Sequence, residues 1–210
     1  MKRLIVLLGL IVLFSLPTLA QDTPTFEVNG GYTYRSWDTP DSPRFNMNGW
    51  NVGATYNFNH WLGFAGSVDG AYNHQNADVV DQFPPVDTWI YTYTFGPRIY
   101  PLGHHKITPF GEALFGGGHV NAHSPAFVCT AIARRQREGG TQCPAVTQTD
   151  NSFTFSLGAG IDVSLTTHWA VRVAEVDYER GGFFGSGSNG APYQNNFKYS
   201  AGVIYRFGLK

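Results

Sequence analysis

Four constellations in the 210-residue chain carry residue types that do chemistry. Glu112, His123 and Ser124 supply the carboxylate, imidazole and hydroxyl of a hydrolytic triad, but a triad is defined by geometry and nothing in the spacing fixes one. His119 and His123 stand before Cys129 and Cys143; two imidazoles and two thiols at these spacings match no closed zinc pattern, so no metal is expected. Gly185 to Gly190 reads G-x-G-x-x-G, yet no strand-then-helix context surrounds it, which makes it a loop and leaves no cofactor to expect. Arg134-Arg135-Gln136-Arg137 is the basic cluster of the chain. Its plain reading is a solvated loop; its sharper one is contact with phosphates or another anionic partner, which arginine forks suit.

A larger set of charges is spread out, and its chemistry is mutual neutralisation. Glu27, Arg35, Asp69, Arg98, Asp162, Lys198 and Arg206 each occupy the polar parity of an alternating segment, with Glu112 and Arg172 as further members. Charges of both signs that face one another away from water pair, because an isolated buried charge is very costly.

The elements that position them have a period of two. Phe26, Val28, Gly30, Tyr32 and Tyr34 oppose Glu27, Asn29, Gly31, Thr33 and Arg35. The pattern repeats from Trp50 to Phe58, Leu62 to Asn73, Trp89 to Ile99, Phe153 to Leu165 and Phe197 to Phe207, as strands with one apolar face. Two segments do not keep one parity. Ile107 to His119 puts Glu112 beside Phe110 and Leu114, and in Ala170 to Tyr178 Arg172 falls on one parity and Glu175 and Asp177 on the other. A β-bulge near Val173 or Ala174 reconciles the second; the alternative leaves Glu175 and Asp177 beyond a membrane edge.

Composition narrows the solvent. Only 14% of residues are charged and the net charge is −1, against about a quarter charged in an average soluble domain, and without a basic stripe nucleic-acid binding is not expected. Lys2 and Arg3 precede the apolar run Leu4 to Phe14 and the small-residue site ending at Ala20, a secretory signal peptide over 1–20, with one domain over 21–210. Short links near Asn59-His60, Pro101 to Lys106 and Thr166 to His168 alternate with long ones at about 36–45, 74–87, 119–150 and 180–194. Large aromatics on one face, small and charged groups on the other, and no amphipathic helix to cover either imply an all-β, eight-stranded antiparallel up-and-down transmembrane β-barrel, with tight turns at one end and loops at the other. Trp50, Trp61, Tyr72, Trp89, Tyr100 and Trp169 read as membrane-interface anchors, and eight strands leave a lumen that side chains fill. An exported chain with two cysteines in its longest loop reads as one disulfide, Cys129 to Cys143.

The closing segment Ser200-Ala201-Gly202-Val203-Ile204-Tyr205-Arg206-Phe207 resembles the C-terminal signature of outer-membrane proteins, with Gly202, Tyr205 and Phe207 as its marked positions. Thr94-Phe95-Gly96-Pro97-Arg98 and Pro109-Phe110-Gly111-Glu112 are similar to the central hairpin of the small OmpA-like barrels. The resemblance covers roughly residues 24 to 208. It implies a bacterial outer-membrane location, recognition by the barrel-assembly machinery, surroundings of lipid and lipopolysaccharide, and a monomer whose role is structural, adhesive or one of surface display. Gly208-Leu209-Lys210 extend past the signature, and a peptidoglycan-tethering role is not expected. No enzymatic activity is expected; the competing readings are a lipid A-modifying enzyme, a small pore and a soluble periplasmic binding barrel.

Overall fold

The computed structural model describes residues 23–39, 42–75, 85–125, 127–128, 142–183 and 193–209. Eight long strands form a closed antiparallel barrel: β1 (Pro24–Thr39), β2 (Ser42–Asn57), β3 (Leu62–Gln75), β4 (Val86–Ile99), β5 (Ile107–Ser124), β8 (Val146–Ser164), β9 (Trp169–Gly181) and β10 (Gln194–Leu209). Two short strands, β6 (Phe127–Val128) and β7 (Gln142–Cys143), pair with each other outside it. Each barrel strand pairs with its neighbours in the chain, and β1 closes on β10 in an unbroken register from Pro24↔Leu209 to Ser36↔Phe197. Gly31 and Gly202 face each other across this seam. A Cβ on either would press into the backbone of the opposite strand, so only glycine lets β1 and β10 approach as they do.

The alternation sorts side chains as the sequence implies. Tyr32, Phe64, Tyr93, Phe153 and Val203 face outward and are exposed, while Glu27, Thr33, Arg98, Asp162 and Arg206 are buried inside. Phe110 and Leu114 go inward together with Glu112, and Phe115 goes outward, which settles the parity of β5. Rings cluster near both rims: Tyr72 lies 4.2 Å from Trp89 at one end, and Trp169, Tyr205 and Phe207 form a chain at the other with centroids 4.8 and 4.6 Å apart. Aromatic belts at two levels are the pattern of a chain held between two interfaces.

The bulge lies where the mixed parities of β9 require it. Ile161 pairs with Ala174 and Asp162 with Arg172, so Val173 has no partner on β8, and the register against β10 slips in the same place. Val173 and Ala174 both face outward in succession, and Arg172, Glu175, Asp177 and Glu179 all point in. Glu175 and Asp177 are therefore within the barrel and not beyond its edge.

Two features depart from the sequence reading. The strands continue well into the expected loops: β1 and β2 pair as far as Thr39↔Ser42, through Trp37↔Phe45, because backbone pairing persists above the aromatic belt, where the polar residues Asn46 and Asn48 face outward and the apolar Trp37 and Met47 face inward. Tyr100 is not an interface anchor. Ile99 faces outward, so its successor turns inward, and Tyr100 is 1% exposed at the floor of the barrel. The signal peptide, Arg134, Arg135, Arg137, the glycine run at 185–190 and Cys129 of the expected disulfide lie outside the described residues.

Candidate functional site

The interior of the barrel is where the charged residues meet, and it is built in levels. At the end with the short turns, Arg206 Nε donates to Glu27 Oε1 at 2.7 Å and its Nη1 donates to Ser164 Oγ. The Tyr100 hydroxyl donates to the other oxygen of Glu27 at 3.1 Å, and the His104 ring packs against Tyr100 with centroids 4.2 Å apart and planes tilted by 45°. His104 sits in the tight turn that Gly103 makes with a φ of 70°, a left-handed conformation natural to glycine.

The middle level is an arginine sandwich. Arg98 bonds Glu112 through Nε at 2.7 Å and donates to Thr55 at 3.1 Å. Arg172 grips Asp162 with two bonds, 2.9 and 3.1 Å, and reaches Glu175 at 3.2 Å. Both guanidinium groups lie 4.5 Å from the centroid of Phe110. Two like charges are held on the ring of a single aromatic, whose face attracts cations, while carboxylates close their outer edges.

Above it, Lys198 Nζ stands 3.2 Å from Asp69, 3.4 Å from Asp177 and 3.6 Å from Glu179, and Arg35 joins Glu179 at 3.1 Å and Thr92 at 3.2 Å. At the opposite end from the short turns the interior becomes apolar: Trp37, Met47, Ala71, Ile90, Val120 and Phe183 form one buried cluster. Phe183 lies just past the end of β9 and packs 5.5 Å from the Trp37 ring.

All nine of the expected interior charges, Glu27, Arg35, Asp69, Arg98, Glu112, Asp162, Arg172, Lys198 and Arg206, are buried, and each carries an ion pair. Glu112, His123 and Ser124 are not brought together: Glu112 is bonded to Arg98 inside, whereas His123 bonds Thr147 near the far end of the same strand. His119 bonds Asn151. Tyr205 and Phe207 belong to the ring chain near one rim, and Gly202 lies at the seam.

A family model for the outer membrane protein beta-barrel domain matches residues 6–207. The chain belongs to that family. Among solved structures, this outer membrane barrel is similar to Ail, the attachment invasion locus protein of Yersinia pestis, with 18% identity over 88% of this chain and 99% of that one and a TM-score of 0.56. Ail in complex with the heparin analogue sucrose octasulfate gives 19%, 88%, 99% and 0.54. Neisserial surface protein A gives 15%, 87%, 97% and 0.59. No curated protein matches the sequence. The protein is an outer membrane protein of a bacterium, and the end with the short turns is the periplasmic one.

Several interior residues of this outer membrane barrel were not marked by the sequence. Glu179 is missed because the strand is read as ending at Tyr178, whereas it runs on to Gly181; carrying the post-bulge parity of Glu175 and Asp177 two residues further finds it. Phe110 looked like one more apolar residue, and only the arrival of Arg98 and Arg172 on either side of it shows its role.

His104 gives the periplasmic end a pH dependence. Burial in the turn holds its imidazole below the ordinary histidine value of 6.5, more strongly than Glu27 raises it. The unfolded chain then binds this proton more readily than the folded one, so the histidine's contribution is present above pH 6.5 and is lost as pH falls through the lower folded value. The unfolding midpoint in urea should decline below pH 6.5, and His104→Gln should lessen that decline; equal pH profiles for the two proteins would refute it.

Proposed function

We propose that the protein is a closed, non-enzymatic outer membrane scaffold with an attachment or surface-display role, carried out by the loops and strand ends on its extracellular side. The observation that supports this reading is the filling of the interior. Ion pairs occupy the lumen from Glu27 to Arg35, and the Trp37 to Phe183 cluster lies over them. A shaft packed with bonded charges and topped by apolar side chains has the makings of a rigid mount and not of a water-filled conduit.

In this reading the chain is a monomer embedded in lipid and lipopolysaccharide, delivered by a signal peptide cleaved after Ala20. Its insertion is guided by the barrel-assembly machinery through Gly202, Tyr205 and Phe207. Arg134, Arg135 and Arg137 are the proposed contact for lipopolysaccharide phosphates or for an anionic extracellular partner, stabilised between Cys129 and Cys143 joined as a disulfide. Ail has been seen with a heparin analogue, which makes heparin a suitable probe.

Two measurements test the proposal. In planar bilayers the refolded protein should give no steady single-channel conductance at neutral pH; a large, persistent conductance would overturn the closed lumen. Immobilised heparin should retain the refolded chain, and the triple variant R134Q/R135Q/R137Q should bind it roughly tenfold more weakly, a loss of about 1.4 kcal/mol. Equal binding by both proteins would remove the arginines from the proposal.

A further inference from the structure

The charges of the lumen do not balance. Among the described residues twelve ionisable side chains of Asp, Glu, Lys and Arg are buried, seven acids against five bases. Glu27 and Arg206 close on each other at the periplasmic end, leaving six acids and four bases in the body of the barrel. Assigning each base its nearest acid couples Arg98 with Glu112, Arg172 with Asp162, Lys198 with Asp69 and Arg35 with Glu179. Glu175 and Asp177 are left over. They have only second claims on bases already engaged: Glu175 lies 3.2 Å from Arg172 and 3.9 Å from Arg98, and Asp177 lies 3.4 Å from Lys198.

The two surplus acids stand with a third. Glu112, Glu175 and Asp177 each offer a carboxylate oxygen within 4.8 Å of the other two. Asp177 Oδ2 is buried and makes no hydrogen bond, its one cationic neighbour being Lys198 Nζ at 3.4 Å, which stands closer to Asp69. Every element around the cluster contributes to its field: Arg98 from β4, Arg172 from β9 itself, Lys198 from β10 and, through Lys198, Asp69 from β3, with Ser156 of β8 donating to Asp177 Oδ1 at 3.3 Å. Glu179 adds a further negative charge beyond Asp177.

Two net negative charges inside a barrel ringed by lipid cannot stay bare. Groups in that position neutralise, and carboxyls that share a site hold a proton between them. A metal ion is the other way to cancel the surplus, but the cluster is already hemmed by Arg98, Arg172 and Lys198, which repel a cation and occupy the directions from which ligands would reach it. We propose that the lumen binds two protons at neutral pH, held by the carboxyl groups of Glu112, Glu175 and Asp177. The buried charges of the described lumen then sum to zero, and the cluster is a proton-binding site enclosed between the arginine sandwich and Lys198.

Infrared spectroscopy of the full chain refolded into detergent micelles tests this. At neutral pH the native protein should show the carbonyl stretch of protonated carboxyl groups, with the intensity of two. D177N should remove the intensity of one. E112Q/D177N should remove the band altogether, since Glu175 is then the sole acid of the cluster, faces Arg172 and Arg98, and ionises. Because an amide mimics a protonated carboxyl, both variants should keep the gel shift of the folded barrel on boiling, whereas D162N, which breaks the two-bond grip of Arg172 and leaves it only Glu175, should unfold at lower urea. The native spectrum decides the matter even where a variant fails to fold: no such band at neutral pH overturns the proposal. A band that survives in E112Q/D177N, or a divalent ion that stays with the native chain after dialysis against a chelator in place of the band, also overturns it.

Discussion

Arg172→Met should destabilise the folded barrel by about 3–5 kcal/mol, the loss expected when one partner of a buried ion pair is removed. Arg172 donates to both oxygens of Asp162 and also holds Glu175, so its loss strands Asp162 in the interior and leaves Glu175 only the more distant Arg98. It also strips one guanidinium from the face of Phe110. Methionine fills much of the vacated length and removes the objection that a cavity alone is responsible. Urea unfolding of the refolded protein in lipid vesicles, followed by tryptophan fluorescence, reads the effect as a lower midpoint. The double variant D162N/R172M should recover part of it, because removing both members of a buried pair costs far less than removing one. A midpoint unchanged in R172M would mean that the pair contributes nothing to holding the barrel shut.

Deleting Ala174 should abolish the barrel. The deletion erases the extra residue that lets Val173 and Ala174 face outward in succession. Every residue on one side of the deletion must then exchange faces, since a slip of one in a strand of period two inverts the whole set. If the register from Trp169 to Arg172 is kept, Glu175, Asp177 and Glu179 turn toward lipid, where charges cost up to a few kcal/mol each, Arg35 loses its acid and Lys198 keeps only Asp69. If the upper register is kept, Arg172 turns outward and Asp162 is stranded. Neither choice leaves the lumen paired. The deleted chain should give a single unshifted band on a denaturing gel whether boiled or not, while Ala174→Gly, which preserves the count, should still shift. A heat-modifiable band from the deletion would show that the bulge is dispensable.

These two predictions rest on different depths of reading. The architecture was legible from alternation alone, because inside a membrane a strand has only two environments and each residue must choose between them. Phe26 to Arg35 and Phe197 to Phe207 make that choice without ambiguity, and the conflict of Arg172 with Glu175 and Asp177 was itself enough to locate the bulge. Legibility fails where the two environments stop differing. Above the aromatic belt the polarity of the faces inverts: outward residues such as Asn46 and Asn48 are polar while Trp37 and Met47 point into an apolar cluster, so a reading that expects apolar residues outside gave no sign that the strands run on to Thr39 and Ser42. Tyr100 failed for another reason: an aromatic at a strand end suits the interface and the lumen floor equally, and only the parity of Ile99 separates them. The pairing of particular acids with particular bases was beyond the sequence entirely, since it depends on which strands face one another across the lumen, and that follows from the closure of the barrel.

That closure has a consequence for how fast the protein can form. Glu27 and Arg206 are 179 residues apart in the chain, and the seam of β1 on β10 joins the two ends of the domain along its full height. Contacts of such separation carry a large loop-closure entropy before they return anything, and topologies dominated by them fold slowly. Until the last strand docks, Lys198 and Arg206 cannot reach Asp69 and Glu27, so the acids of the earlier strands wait unpaired. The closing of β1 on β10 is therefore the contact of greatest sequence separation in the barrel, and its loop-closure entropy slows assembly.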